Sequence, residues 1–122
     1  MEDLIRSYYA AYNSVDSDRL SQLLDPQVEL VSAMGTQFGR DAYLATYQFM
    51  TDQFIDVMEP QEIAVEGNSA TVKIRDSLTA KADIADFLGQ PIPKGQEMVL
   101  NLTGHYTAEN GKIVRIEIVP QA

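Results

Sequence analysis

Ala70-Thr71-Val72-Lys73-Ile74-Arg75-Asp76-Ser77-Leu78-Thr79-Ala80 alternates without a break. Ala70, Val72, Ile74, Leu78 and Ala80 fall on one side, and Thr71, Lys73, Arg75, Ser77 and Thr79 on the other. Period two over this length reads as a β-strand with one buried face, because successive side chains point to opposite faces. Asp76 breaks the chemistry but not the parity: it stands on the apolar side. Backwards from this stretch, Gly67-Asn68-Ser69 is a turn and Ile55 to Val65 a partner strand, which makes a hairpin. Forwards, a short segment from Asp83 to Leu88 leads into a loop with Pro91, Pro93 and Gly95. Glu97 to Thr107 then forms a long strand, Asn110-Gly111 turns it, and Lys112 to Val119 closes the sheet. In that last strand Val114, Ile116 and Ile118 alternate with Arg115 and Glu117, so one face is buried and one is wet.

The first half of the chain has a different period. Ile5, Tyr8, Tyr9 and Tyr12 recur at helical spacing between Leu4 and Asn13, and Asp16 or Ser17 caps a second short helix through Leu20, Leu23 and Leu24, closed by Pro26. Val28 to Met34 has strand composition and Gly35 to Gly39 reads as a turn. Tyr43, Tyr47, Met50 and Phe54 mark one face of a third helix. Helices first and long antiparallel hairpins last predict a single α+β domain over residues 1–122, with helices covering one face of a curved sheet and a cavity at its open end.

With 45% hydrophobic and 22% charged residues among 122, the composition is that of an ordinary folded domain. A net charge of −9, from 9 basic and 18 acidic residues, repels nucleic-acid phosphates and anionic lipid, so neither is an expected partner. The absence of cysteine removes disulfides, thiolate chemistry and Cys-based zinc sites. One histidine, His105, makes no His-rich metal site, and no metal or cofactor is expected. No stretch approaches the roughly 20 apolar residues of a membrane span, and Met1-Glu2-Asp3-Leu4 does not open a secretory signal, so a cytoplasmic location is the default expectation.

Two stretches carry a family resemblance. Ser7-Tyr8-Tyr9-Ala10-Ala11-Tyr12-Asn13-Ser14-Val15-Asp16, with Leu20 and Leu23-Leu24-Asp25-Pro26, is similar to the opening helices of the nuclear-transport-factor-2-like superfamily. Phe87-Leu88-Gly89-Gln90-Pro91-Ile92-Pro93-Lys94-Gly95, with Asn110-Gly111-Lys112-Ile113-Val114 after the intervening strand, resembles the loop and closing hairpin of its SnoaL-like polyketide-cyclase branch, close to the ketosteroid isomerases. The resemblance implies a cone-shaped, cystatin-like roll: a curved, mixed, mostly antiparallel sheet wrapped around N-terminal helices. It also implies a homodimer through the convex sheet face. Members of the superfamily include isomerases, cyclases, dehydratases, epoxide hydrolases and proteins that only bind ligands or partners, so the fold leaves the activity open.

Alignment with the isomerase branch puts Tyr8 where a tyrosine donates a hydrogen bond to a developing enolate oxygen; the other reading of Tyr8 is a core aromatic on an amphipathic helix. The branch's two acids fall here at Leu30 and Gly104, and the cyclase acid also falls near Gly104, so neither mechanism carries over intact. Asp76 is the substitute: a carboxyl group on an apolar face has its pKa raised by desolvation and suits acid/base work, or else it is a carboxylate satisfied at the cavity rim. Tyr12, Leu30, Tyr47, Met50, Phe54, Leu100 and Tyr106 are the expected pocket wall. Asp83 and Asp86 read as exposed turn residues, and His105 by strand parity as a residue of the convex face. Two functions fit: a cofactor-independent isomerase or cyclase using Asp76 and Tyr8 on a small apolar molecule, or a non-catalytic ligand-binding or protein-interaction module.

Overall fold

A computed structural model describes residues 1–121. Helices α1 (Glu2–Asn13) and α2 (Ser17–Leu23) lead into strand β1 (Leu24–Ser32), and β2 (Gly35–Phe38) precedes helix α3 (Arg40–Gln53). The remaining strands are β3 (Phe54–Glu66), β4 (Ser69–Ala80), β5 (Ile84–Phe87), β6 (Gln90–Ile92), β7 (Glu97–Glu109) and β8 (Lys112–Pro120). Six of them form one sheet in the order β2-β1-β8-β7-β4-β3, while β5 and β6 make a separate small hairpin. Every neighbour in the large sheet is antiparallel except β1 with β8. The architecture is therefore the expected α+β fold, a curved, mostly antiparallel sheet with helices on its inner face.

The alternation in β4 holds residue for residue. Ala70, Val72, Ile74, Asp76, Leu78 and Ala80 are buried, whereas Thr71, Lys73 and Arg75 are exposed. Irregular registers at Pro60/Glu62 in β3, at Thr107/Ala108 in β7 and between Leu24 and Glu29 in β1 bend the sheet, since an extra residue in one strand increases local twist. The main core joins Ile5, Tyr9 and Leu20 of the first two helices to Val28, Val72, Ile74 and Ile116 of the sheet. A second cluster joins Phe54, Leu78 and Ala80 of the large sheet to Ile92 of the small hairpin.

Three local readings change. Gly35 to Gly39 is more than a turn: Gly35–Phe38 pairs with Glu29–Ser32 as a short edge strand, and its pairing is invisible to composition. Pro26 lies inside β1, not after a helix, and is tolerated because it sits in the irregular stretch between Leu24 and Glu29. The third helix stops at Gln53, and Phe54 takes extended backbone at φ −131° and ψ 149° as the first residue of β3. Helical spacing from Tyr43 to Phe54 is thus coincidental at its last member.

Candidate active site

Asn13, at the end of α1, sets the site. Its side-chain amide donates to the carbonyl of Met58 (2.7 Å), and its carbonyl oxygen accepts from the Met58 backbone N–H (2.8 Å). Strand β3 is an edge of the sheet. Asn13 therefore occupies backbone groups that would otherwise lack a strand partner. This pins the last turn of α1 across β3 and lays Tyr12 over Asp56, whose Oδ2 accepts the Tyr12 hydroxyl at 2.6 Å. The Tyr47 hydroxyl of α3 donates to the Tyr12 carbonyl oxygen at 2.6 Å, satisfying an acceptor at the helix end and fixing α3 against α1.

Between these helices and the sheet lies a cavity of about 480 Å³, within the range of small-molecule sites. Asp56, Asp76, Tyr8 and Tyr43 line it, and the rest is mainly apolar, including Leu30, Met50 and Leu100. Phe87 and Leu88 of the small hairpin reach its edge. No Lys, Arg or His is among the lining residues. The hydroxyls of Tyr8 and Tyr43 are hydrogen-bonded to each other. Burial holds both phenols well above their ordinary pKa, so they remain neutral hydrogen-bond donors.

Asp76 is 4% exposed and Asp56 7%. In the β3–β4 register Asp76 faces Met58 and Asp56 faces Leu78, which makes the two aspartates diagonal neighbours on one face, a spacing long side chains can bridge. Oδ1 of each is buried without a donor from the protein. Burial first, and then a hydrogen bond to Asp56 and its charge, push the Asp76 carboxyl from 3.8 up to about 9. Asp76 therefore keeps its proton at neutral pH beside Asp56. Among the described residues no third carboxylate or imidazole joins them in a group able to hold a metal ion.

Of the residues read as functional from sequence, Asp76, Tyr8, Tyr12, Leu30, Tyr47, Met50 and Leu100 meet at this cavity. Phe54 and Tyr106 do not, and their placement in the wall is corrected. Phe54 packs edge-on against Phe87, at 4.9 Å between ring centroids, in the second cluster. Tyr106 lies down over Gly104, where an added Cβ would come within 2.8 Å of the ring, and its hydroxyl meets that of Tyr9 at 2.7 Å. Its ring fills the space in which a side chain at position 104 would project. Asp86 Oδ1 accepts the backbone N–H of Gly89 and stabilises a turn, whereas Asp83 Oδ1 accepts that of Lys94, 11 residues on, and ties together the two ends of the segment that holds the small hairpin, each at 2.8 Å. His105 is exposed on the outer face opposite Thr71 and Glu117.

Sequence reasoning missed Asp56 and Tyr43. Asp56 shares parity with Phe54 and Met58, yet Ile55 and Val57 are as apolar as their neighbours and stand 57% and 43% exposed on the outer face. Alternation in that stretch consequently names no inner face. Tyr43 was legible as one helix face but not as the partner of Tyr8, a pairing made across 35 residues.

A family model described as a SnoaL-like domain matches residues 5–116. Among solved structures, the chain is 26% identical to a protein of Sinorhizobium meliloti provisionally named a polyketide cyclase, with 96% of this chain and 94% of that one covered and a TM-score of 0.76. An NTF2-like protein of unknown function from Burkholderia pseudomallei is 19% identical over 98% and 89%, with a TM-score of 0.79. An epoxide hydrolase of M. tuberculosis is 11% identical over 98% and 80%, also with a TM-score of 0.79. The last two show likeness of fold alone. No curated protein matches the sequence at a significant level. No helix among the described residues is long and apolar enough to cross a membrane.

Proposed function

This chain belongs to the SnoaL-like domain family, and from that premise we propose that its cavity is the active site of a cofactor-independent enzyme that moves a proton on a small, mainly apolar molecule. Isomerisation or ring closure next to a carbonyl group is the reaction type. The observation that carries this reading is Asp76: a carboxyl group in the wall of an apolar cavity, its pKa pushed up to about 9, beside a pair of neutral phenols.

Removing a proton from a carbon beside a carbonyl places negative charge on the carbonyl oxygen. Tyr8, bonded to Tyr43, offers a donor to that oxygen, and donors already oriented in a water-poor site stabilise such charge by several kcal/mol. Asp76 moves the proton, removing it from one carbon and returning it to another. A cavity without Lys, Arg or His favours uncharged molecules over carboxylates and phosphates, which would meet the aspartate pair unbalanced.

The test is hydrogen–deuterium exchange at the activated carbon of 2-tetralone, followed by proton NMR in heavy water. Exchange above the buffer rate is expected, with a loss of about 10²-fold in Asp76→Asn. A protein that binds aromatic ketones without accelerating exchange in any of them would sink the enzyme reading. It would favour the non-catalytic ligand-binding one, which draws its own support from Leu30 and Gly104, positions that carry no acid.

A further inference from the structure

A carboxyl group that keeps its proton at neutral pH is a poor base, and the geometry around Asp76 supplies a way past this. The four carboxyl oxygens of the aspartate pair are in three situations. Asp56 Oδ2 is held by the Tyr12 hydroxyl. Asp56 Oδ1 and Asp76 Oδ1 are both buried with no donor from the protein. Asp76 Oδ2 takes no hydrogen bond from any described residue and is the oxygen left for the cavity that Asp76 lines. A proton shared across the pair would give both Oδ1 atoms a partner, and the diagonal register on β3 and β4 brings the groups together.

We propose that Asp56 and Asp76 form a two-carboxyl proton relay, in which Asp76 accepts a proton from the bound molecule at Oδ2 while it passes its own from Oδ1 to Asp56. The C–H bond breaks, its electron pair moves into the enolate, and an O–H bond forms at Asp76 Oδ2. The Oδ1–H bond of Asp76 breaks as one forms at Asp56 Oδ1. Asp76 is neutral before and after, and Asp56 holds the extra proton. Return of the proton to a second carbon runs the same steps backwards, with no oxidant or co-reactant. Asp76 is the catalytic group and Asp56, acting through it, a positioning residue.

The surroundings suit a relay. Tyr8 and Tyr12 from α1 and Tyr43 and Tyr47 from α3 face the pair, and Tyr9 lies near enough to feel the charge of Asp76. All are phenols whose pKa burial raises, and no cation lines the cavity to draw the shared proton away. The Tyr12 bond and the Asn13 clamp on Met58 hold Asp56 in place as the acceptor.

This inference rests on the proton-transfer reading, and the two fail differently. Exchange of 2-tetralone is measured against pH for the wild type, Asp76→Asn and Asp56→Asn, alongside a carbon-13 titration of the aspartate carboxyl signals. In the wild type the Asp76 signal should titrate near 9. Asp56→Asn should exchange about 10²-fold more slowly at pH 7, yet recover as pH rises through the Asp76 step, where ionised Asp76 takes the proton unaided. A merely structural role for Asp56 predicts no such recovery. Should Asp56→Asn fail to fold, Asp56→Glu, which shifts the carboxyl by one methylene, carries the same expected loss at pH 7. Wild-type levels of exchange in the Asp56 variant overturn the relay and leave the enzyme reading standing. An inactive wild type overturns both.

Discussion

Tyr8 and Tyr9 are consecutive residues of one helix, and each forms a hydrogen bond between two phenol hydroxyls, but on two sides of one aromatic cluster. Tyr9 meets Tyr106 at the closed end of that cluster, where the Tyr106 ring lies on Gly104 and packs against Tyr8 at 5.6 Å between centroids. Tyr8 meets Tyr43 at the open end, where the same kind of pair lines the cavity that holds Asp56 and Asp76. The chemistry of the two pairs is nearly identical. What differs is whether a neighbouring side chain fills the adjoining volume: an aromatic ring does so at one end, while the carboxyl pair at the other borders unfilled space.

Three experiments probe that contrast. The largest effect is expected from charge at the open end. The folded protein keeps on Asp76, up to about pH 9, a proton that the unfolded chain releases near its ordinary 3.8. The folded state therefore binds more protons across that window, and stability falls as pH rises through it; the penalty is absent below the lower value and complete above the upper. Asp76→Asn removes the penalty, so its melting temperature should gain on the wild type steadily from pH 5 to pH 9. A difference that is flat with pH would mean that Asp76 is not desolvated in the folded protein.

Gly104→Ala attacks the closed end by volume. The added Cβ would stand 2.8 Å from Tyr106 Cε2 and 3.1 Å from Ile74 Cδ1, and overpacking of this kind costs about 1–3 kcal/mol. Urea denaturation should show that loss, with the midpoint moving and the slope unchanged. Unaltered stability would mean that Tyr106 leaves Gly104 easily and that the closed end is not tightly packed.

The smallest effect separates the two pairs directly. Tyr106→Phe strands the buried Tyr9 hydroxyl and is expected to lower stability by about 1 kcal/mol without touching the cavity. Tyr8→Phe removes a comparable bond, but should also slow 2-tetralone exchange, because its hydroxyl is one of the cavity's donors. Equal loss of exchange in both variants would erase the functional distinction between the two ends.

Much of the fold was legible because each strand and helix has one wet face, and periodicity reports such a face directly. The alternation of Ala70 to Ala80 fixed β4, its inner side and the burial of Asp76, while Gly67-Asn68-Ser69 and Asn110-Gly111 placed two hairpins. Where apolar residues occupy both faces, as at Ile55 to Met58, the same reasoning has nothing to read, and Asp56 was lost with it.

By itself, then, the sequence determined the order of the helices and long strands, the family and the presence of one carboxyl group on an apolar face, because these follow from local spacing and turn chemistry. Only the tertiary structure decided that Asp76 has Asp56 as its partner, that Tyr8 borders a cavity while Tyr9 does not, and that Tyr106 covers Gly104 instead of lining the pocket. Asp56 and Asp76 are 20 positions apart and Tyr9 and Tyr106 are 97, and even the contact of Tyr106 with Gly104, two residues along one strand, depends on what fills the neighbouring volume. Packing across the sheet and helices sets them, and no period along one strand encodes it.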